Sequence, residues 1–214
     1  MKYLRVPFVS TIAAGTAITD VSLFLNEATR HSINNLLWSN SGYKPNVSFA
    51  IAYTTDSILL KYFVTEKYIT SGYHEINDPV FEDTCVEFFI AFGDERNYYN
   101  LEFNRIGTPL VGYGPGKNNR TLLEKPSISQ IKSLSKTASQ ADAEGDTEWE
   151  LTLSIPFSLF VHNNIKSLTG GIGRVNLFKC GDNLPDPHFL SWNYIDNPQP
   201  NFHLPEFFGK IQFL

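Results

Sequence analysis

Apolar and polar residues alternate with a period of two along most of this chain, and that period selects strands. Val47–Tyr53 alternates large and small side chains, as a strand with one face in a core does. Thr54-Thr55-Asp56-Ser57 is a turn cluster, and Ile58–Val64 beyond it is apolar on both faces, which suits an interior strand. Val86, Phe88, Ile90 and Phe92 form an unbroken apolar face. A turn over Gly93–Asn97 follows, and then Tyr99, Leu101 and Phe103 alternate with Asn100, Glu102 and Asn104. Thr84–Arg105 therefore reads as a hairpin with one apolar and one polar side.

Further strands are expected over Ile128–Lys136, Trp149–Ile155, Val175–Cys180, His188–Tyr194 and Phe208–Phe213. Gln140–Asp146 reads as a polar turn, and Gly112–Asn119, rich in glycine and proline, as a surface loop. Helix is scarce. Asn26–Trp38 is the one stretch where Ile33, Leu36 and Leu37 fall at helical spacing, and a single turn is expected after Pro156. The pattern predicts an all-β fold, two antiparallel sheets packed as a sandwich, with one short helix near the N-terminus. No repeat or linker divides the 214 residues, so one domain over residues 1–214 is expected.

Composition narrows the classes. With 42% hydrophobic and 14% aromatic residues the chain has ample material for a core, which argues against disorder. The net charge of −5, with no basic run, argues against nucleic acid or an anionic membrane surface as partner. Arg5 and Pro7 interrupt the start where a signal peptide needs an apolar run, and no stretch nears the roughly 20 apolar residues of a membrane helix. A cytoplasmic location is the default expectation. Two cysteines, Cys85 and Cys180, match neither a disulfide framework nor a zinc pattern, and both read as buried free thiols.

Candidate chemistry sits on the polar side of the hairpin. Antiparallel pairing around Asp94-Glu95 places Glu87 beside Glu102, with Asn100 and Asn104 on the same face. Such groups either face water and basic partners or form a recognition patch, since carboxylates and amides offer paired donors and acceptors to hydroxyl-rich ligands. Aromatic residues gather in the flanking loops: Tyr68, Tyr73 and Phe81 before the hairpin, Trp192, Tyr194 and Phe202 after it. Flat rings beside polar groups suit the C–H face of a sugar, although most aromatics in a sandwich are core. Trp149 and Trp192 fit the core reading. Lys179 and Asp182 either reach the site from a neighbouring strand or lie in water.

Pro79-Val80-Phe81-Glu82-Asp83-Thr84-Cys85-Val86-Glu87-Phe88-Phe89-Ile90 resembles the signature strand of family 9 carbohydrate-binding modules, within the DOMON-like β-sandwich superfamily. Ser191-Trp192 followed by Phe202-His203-Leu204-Pro205-Glu206-Phe207-Phe208-Gly209 resembles that family's closing pattern. Glu148–Pro156 is similar to its Glu-rich strand, and the likeness spans roughly residues 15–214 in order. The resemblance implies an immunoglobulin-like sandwich that binds a mono- or oligosaccharide, commonly a chain end, without catalysis and in the context of polysaccharide breakdown. It implies an aromatic clamp at Phe81 and Phe202 and hydrogen bonding by Glu87 and Asn104. Glu102 falls where the family can carry arginine, and both clamp tryptophans are phenylalanine here. Asn100, Lys179, Trp192 and His203 are further ligand-binding candidates. No cofactor is expected; structural calcium occurs in the family, but no ligand run in this sequence calls for it.

Two other readings compete. A glycosidase could use Glu87 and Glu102, since retaining chemistry wants carboxyls about 5 Å apart. Side-by-side acids on one flat face, however, do not naturally flank a bond. Haem ligation by a Met/His pair fails because the one methionine is Met1, which leaves only a pair such as His188 with His203. A scaffold domain that has lost its sugar site is the remaining alternative.

Overall fold

The computed structural model describes residues 1–138 and 145–214. In chain order it contains β1 (Tyr3–Val6), α1 (Ile18–Asn26), β2 (Arg30–Ser32), β3 (Asn35–Leu37), β4 (Asn46–Tyr53) and β5 (Ser57–Glu66). Then follow β6 (Cys85–Phe92), β7 (Tyr98–Asn104), β8 (Pro109–Gly114), β9 (Thr121–Leu122), α2 (Lys125–Ile128) and β10 (Lys132–Thr137). The chain closes with β11 (Thr147–Pro156), β12 (Ile172–Gly181), β13 (His188–Ser191) and β14 (Gly209–Phe213).

These strands make a β-sandwich. The larger sheet runs β1-β14-β12-β6-β7-β8-β9, with β13 pairing both β12 and β3; the smaller runs β10-β11-β5-β4-β2. Neighbours are antiparallel except β1, which lies parallel to β14. Between the sheets lies the main core, where Phe88, Leu101, Leu177, Leu60, Leu151 and Trp149 are buried together. Each is fully withdrawn from water, and each such side chain contributes on the order of 2 kcal/mol of transfer free energy. Helix α1 covers the outer face of the smaller sheet, setting Val21 and Leu25 against Leu59 and Phe63. Loops cover the outer face of the larger sheet with a second apolar cluster around Phe89, Phe178, Phe202 and Phe208.

The hairpin register is as the alternation predicts, with Glu87 opposite Glu102 and Cys85 opposite Asn104. The turn after Pro156 is present as a 3-10 turn over Phe157–Leu159. Three elements differ from expectation. The helix lies at Ile18–Asn26, while Asn26–Trp38 holds two short strands, with Leu36 opposite Leu190 and Leu37 opposite Phe189. Three apolar residues within five positions satisfy a helix or a strand locally; the ladder to β13 decides. Trp38, with φ of 46°, then turns the chain out of the ladder.

The strand expected from Ile128 begins only at Lys132, because Ile128 closes the short helix α2. The stretch read as a loop from Gly112 begins inside strand β8. Its glycines permit close approach: a Cβ on Gly112 would stand 2.7 Å from Asn100 Oδ1, and one on Gly114 2.5 Å from the Asn119 carbonyl oxygen. The polar turn expected over Gln140–Asp146 falls largely outside the described residues.

Candidate functional site

The outer face of the larger sheet presents Glu87 from β6, Glu102 from β7 and Cys180 from β12, all buried and neighbouring in register. Three loops wall this patch into a pocket of about 240 Å³. Phe81 enters on the 3-10 turn Val80–Glu82 that leads into β6. Phe202 and His203 come from the segment before β14, and Lys117 and Arg120 from the link between β8 and β9. Trp38, just past β3, completes an aromatic wall: its ring lies 5.7 Å from Phe202, which also stacks on Phe178 at 4.2 Å and meets Phe189 edge-on at 6.0 Å. The Trp38 indole N–H donates to the Asn197 carbonyl at 2.6 Å, which fixes the plane of the ring.

The two glutamates have unequal partners. Glu102 Oε1 accepts from Asn100 Nδ2 at 2.7 Å and from Arg120 at 3.0 Å, whereas Oε2 is buried with no hydrogen-bond partner among the described residues. Among the described residues, Glu87 Oε1 receives only the Cys180 thiol, at 3.1 Å. Burial pushes both carboxyls above the usual range, and the proximity of Glu102 pushes Glu87 further, while Arg120 pulls Glu102 back. Of the pair, Glu102, bonded to Arg120, is therefore the readier to ionise and Glu87 the readier to keep its proton. The carboxyls lie side by side on adjacent strands, not on two sides of a cleft.

Arg120 also donates to His203 Nε2 at 3.1 Å, so that nitrogen is the acceptor and Nδ1–H faces the Tyr98 hydroxyl at 2.8 Å. Burial and the neighbouring cation lower the His203 pKa to about 3, leaving the ring neutral. The resulting chain, Asn100–Glu102–Arg120–His203–Tyr98, holds its polar groups in one orientation at the floor.

Of the residues expected from sequence, Phe81, Glu87, Glu102, Phe202 and His203 meet in this pocket. Asn100 stands one layer behind it as a donor to Glu102. Three others point elsewhere. Asn104 is spent on the scaffold, donating to the Tyr73 carbonyl at 2.8 Å and to Asp83 at 3.0 Å while accepting from the Thr108 amide at 2.9 Å. Lys179 points between the sheets, because it alternates with Phe178 and Cys180, and pairs with Glu66 at 2.9 Å. Trp192 is core, its ring filling the space that a Cβ on Gly209 would need at 2.4 Å. His188 contacts Lys179 and His203 contacts Arg120, so the two histidines belong to separate networks. Cys85 and Cys180 are buried and free.

Sequence reasoning missed Trp38, which sat inside the predicted helix, and the cationic pair Lys117 and Arg120. The arginine absent from β7 is supplied from two strands away.

The comparison that decides the family is a match to the model of carbohydrate-binding family 9 over residues 17–213. The chain belongs to carbohydrate-binding family 9. Among solved structures, a candidate carbohydrate-binding protein from Bacteroides uniformis ATCC 8492 is 36% identical, with a TM-score of 0.90 over 100% of this chain and 99% of that one. A family 9 module from Caldicellulosiruptor kristjanssonii, solved with glucose, aligns at a TM-score of 0.61 and 14% identity over 100% and 96% of the two chains. The same organism's module with cellotriose aligns at 0.59 and 14% identity over 99% and 93%. At that identity the two modules share the fold. No protein of curated function matches the chain significantly.

Proposed function

We propose that this family 9 chain binds carbohydrate, without catalysing its turnover, in the pocket between Trp38, Phe81 and Phe202. One observation carries the reading: residues from widely separated stretches of sequence bring three aromatic rings and a fixed polar floor to one opening. The related modules solved with glucose and with cellotriose support the ligand class. At about 240 Å³ the pocket is smaller than the roughly 300 Å³ lower end of ordinary small-molecule sites, which suits one sugar ring or the end of a chain. Trp38 supplies the largest flat plate for the ring's C–H face. Protonated Glu87 donates to a hydroxyl while charged Glu102 and Arg120 accept and donate beside it.

Isothermal titration against glucose, galactose, mannose, xylose and their short oligomers tests this reading. Saturable binding of one sugar per chain, lost in Arg120→Ala, is expected. Absence of binding across that panel and a broad glycan array would overturn it.

A further inference from the structure

Two cysteines stand at the floor of the pocket, and sugar recognition gives them no role. Cys85 and Cys180 stand directly opposite each other on β6 and β12, and Glu87, two residues along β6, projects from the same face. Their ligand atoms, two sulfurs and a carboxylate oxygen, all lie within 4.8 Å of one another, and the Cys180–Glu87 contact is 3.1 Å. A tetrahedral zinc site built on bonds of about 2.3 Å to sulfur and about 2.0 Å to oxygen has edges of roughly 3.5–3.8 Å. Side-chain adjustments of the order of 1 Å convert one arrangement into the other. Two adjacent strands of a packed sheet, β6 and β12, hold the ligands, so the triad is preorganised and not gathered from mobile loops.

We infer that Cys85, Glu87 and Cys180 form a binding site for a thiophilic divalent cation, zinc(II) in chemical class. Two sulfurs disfavour magnesium and calcium, which take oxygen ligands, and the carboxylate disfavours copper(I), which takes soft ligands alone. The local charge also asks for a cation. The triad adjoins Glu102, whose Oε2 is buried and unpartnered among the described residues, and Arg120 is the basic group bonded to that carboxylate. Burial raises the Cys85 thiol to about 11 although its contact with Cys180 pulls it down, and the contact with Cys85 together with burial raises Cys180. Zinc displaces the two thiol protons and the Glu87 proton to solvent and takes the three freed donor atoms. Cys180 and Glu87 both line the pocket, so the fourth position of the ion opens toward the ligand space.

The test needs no sugar, so its outcome is separate from that of the binding assay above. Full-length protein, kept reduced with a phosphine, is titrated with cobalt(II) and then zinc(II) at mildly alkaline pH. One cobalt per chain with thiolate-to-metal charge-transfer absorption, displaced by one zinc, is the expected result. Cys85→Ser and Cys180→Ser each weaken binding at least about tenfold and reduce the band, whereas Glu87→Gln weakens binding and leaves the band. If a variant does not fold, the wild type still decides the matter: zinc raises its melting temperature and a chelator reverses the rise. No charge-transfer band in the reduced wild type, an equal band in the doubly substituted chain, or binding without effect on melting would overturn the inference.

Discussion

At the scale of single residues, the two pocket glutamates make opposite predictions despite facing each other. Burial first, and the facing Glu102 second, push the Glu87 carboxyl well above the usual range and favour its protonated form. Glu87→Gln is close to a copy of the protonated acid, so urea unfolding at pH 7 changes by no more than about 0.5 kcal/mol. Glu102→Gln strands Arg120, whose guanidinium is mostly covered, and costs about 1–3 kcal/mol in the same measurement. Equal losses in the two variants would contradict the assignment of charge and proton. Trp38 carries the affinity prediction. Its ring is half-buried and borders the pocket, so Trp38→Ala lowers sugar affinity about tenfold or more by titration calorimetry, beyond the effect of Phe81→Ala.

At the scale of elements, Asn104 shows how a hairpin holds the loops that build a site. Its amide ties the end of β7 to the Tyr73 carbonyl and to Asp83, and Asp83 in turn accepts from the Gly72 and Tyr73 amides at 2.9 and 3.1 Å. The segment that delivers Phe81 is thus fixed from behind. Asn104→Ala leaves several of these buried groups unpaired and is expected to lower stability by about 2–3 kcal/mol in chemical denaturation. A loss below about 0.5 kcal/mol would show that the segment is held by other means. The same residue shows what the sequence could reveal. Period-two alternation placed Asn104 on the correct face and the carboxylates opposite each other, because a strand's register follows directly from its pattern. It could not reveal that the asparagine faces a loop instead of a ligand, since that depends on where residues 70–83 fold back. The helix failed for a related reason: Ile33, Leu36 and Leu37 fit two periods, and only pairing with β13 chooses between them. That error hid Trp38. Arg120 was hidden because it reaches Glu102 across β8, past a glycine that leaves it room.

At the scale of the whole molecule, a buried polar cluster joins the two sheets, and it should govern the response to acid. Glu66 from the smaller sheet meets Lys179 of the larger at 2.9 Å and accepts from the Trp149 indole at 2.7 Å. Lys179 also donates to His188 Nε2 at 2.9 Å, so His188 is the neutral tautomer with Nδ1–H directed to the Asp186 carbonyl at 3.0 Å. A protonated His188 would have no solvent and would meet the Lys179 ammonium at 2.9 Å, nearer than the Glu66 carboxylate at 3.6 Å; burial first, and that cation second, lower its pKa to about 3. Its value in the unfolded chain is about 6.5. Between these limits the unfolded chain binds the extra proton, so stability from this group is complete above about pH 6.5 and falls with acidification toward pH 3. The slope is about 1.4 kcal/mol per pH unit, or about 2 kcal/mol lost by pH 5. His203, also lowered to about 3, adds a loss of the same sign, whereas the raised pocket carboxyls oppose it. The difference between wild type and His188→Gln isolates the histidine, because glutamine can still accept from Lys179 but does not titrate. Denaturant unfolding from pH 7.5 to 4.5 should show the wild type losing its advantage over the variant below pH 6.5. Parallel curves would mean that the junction between the sheets opens to water before the histidine is charged.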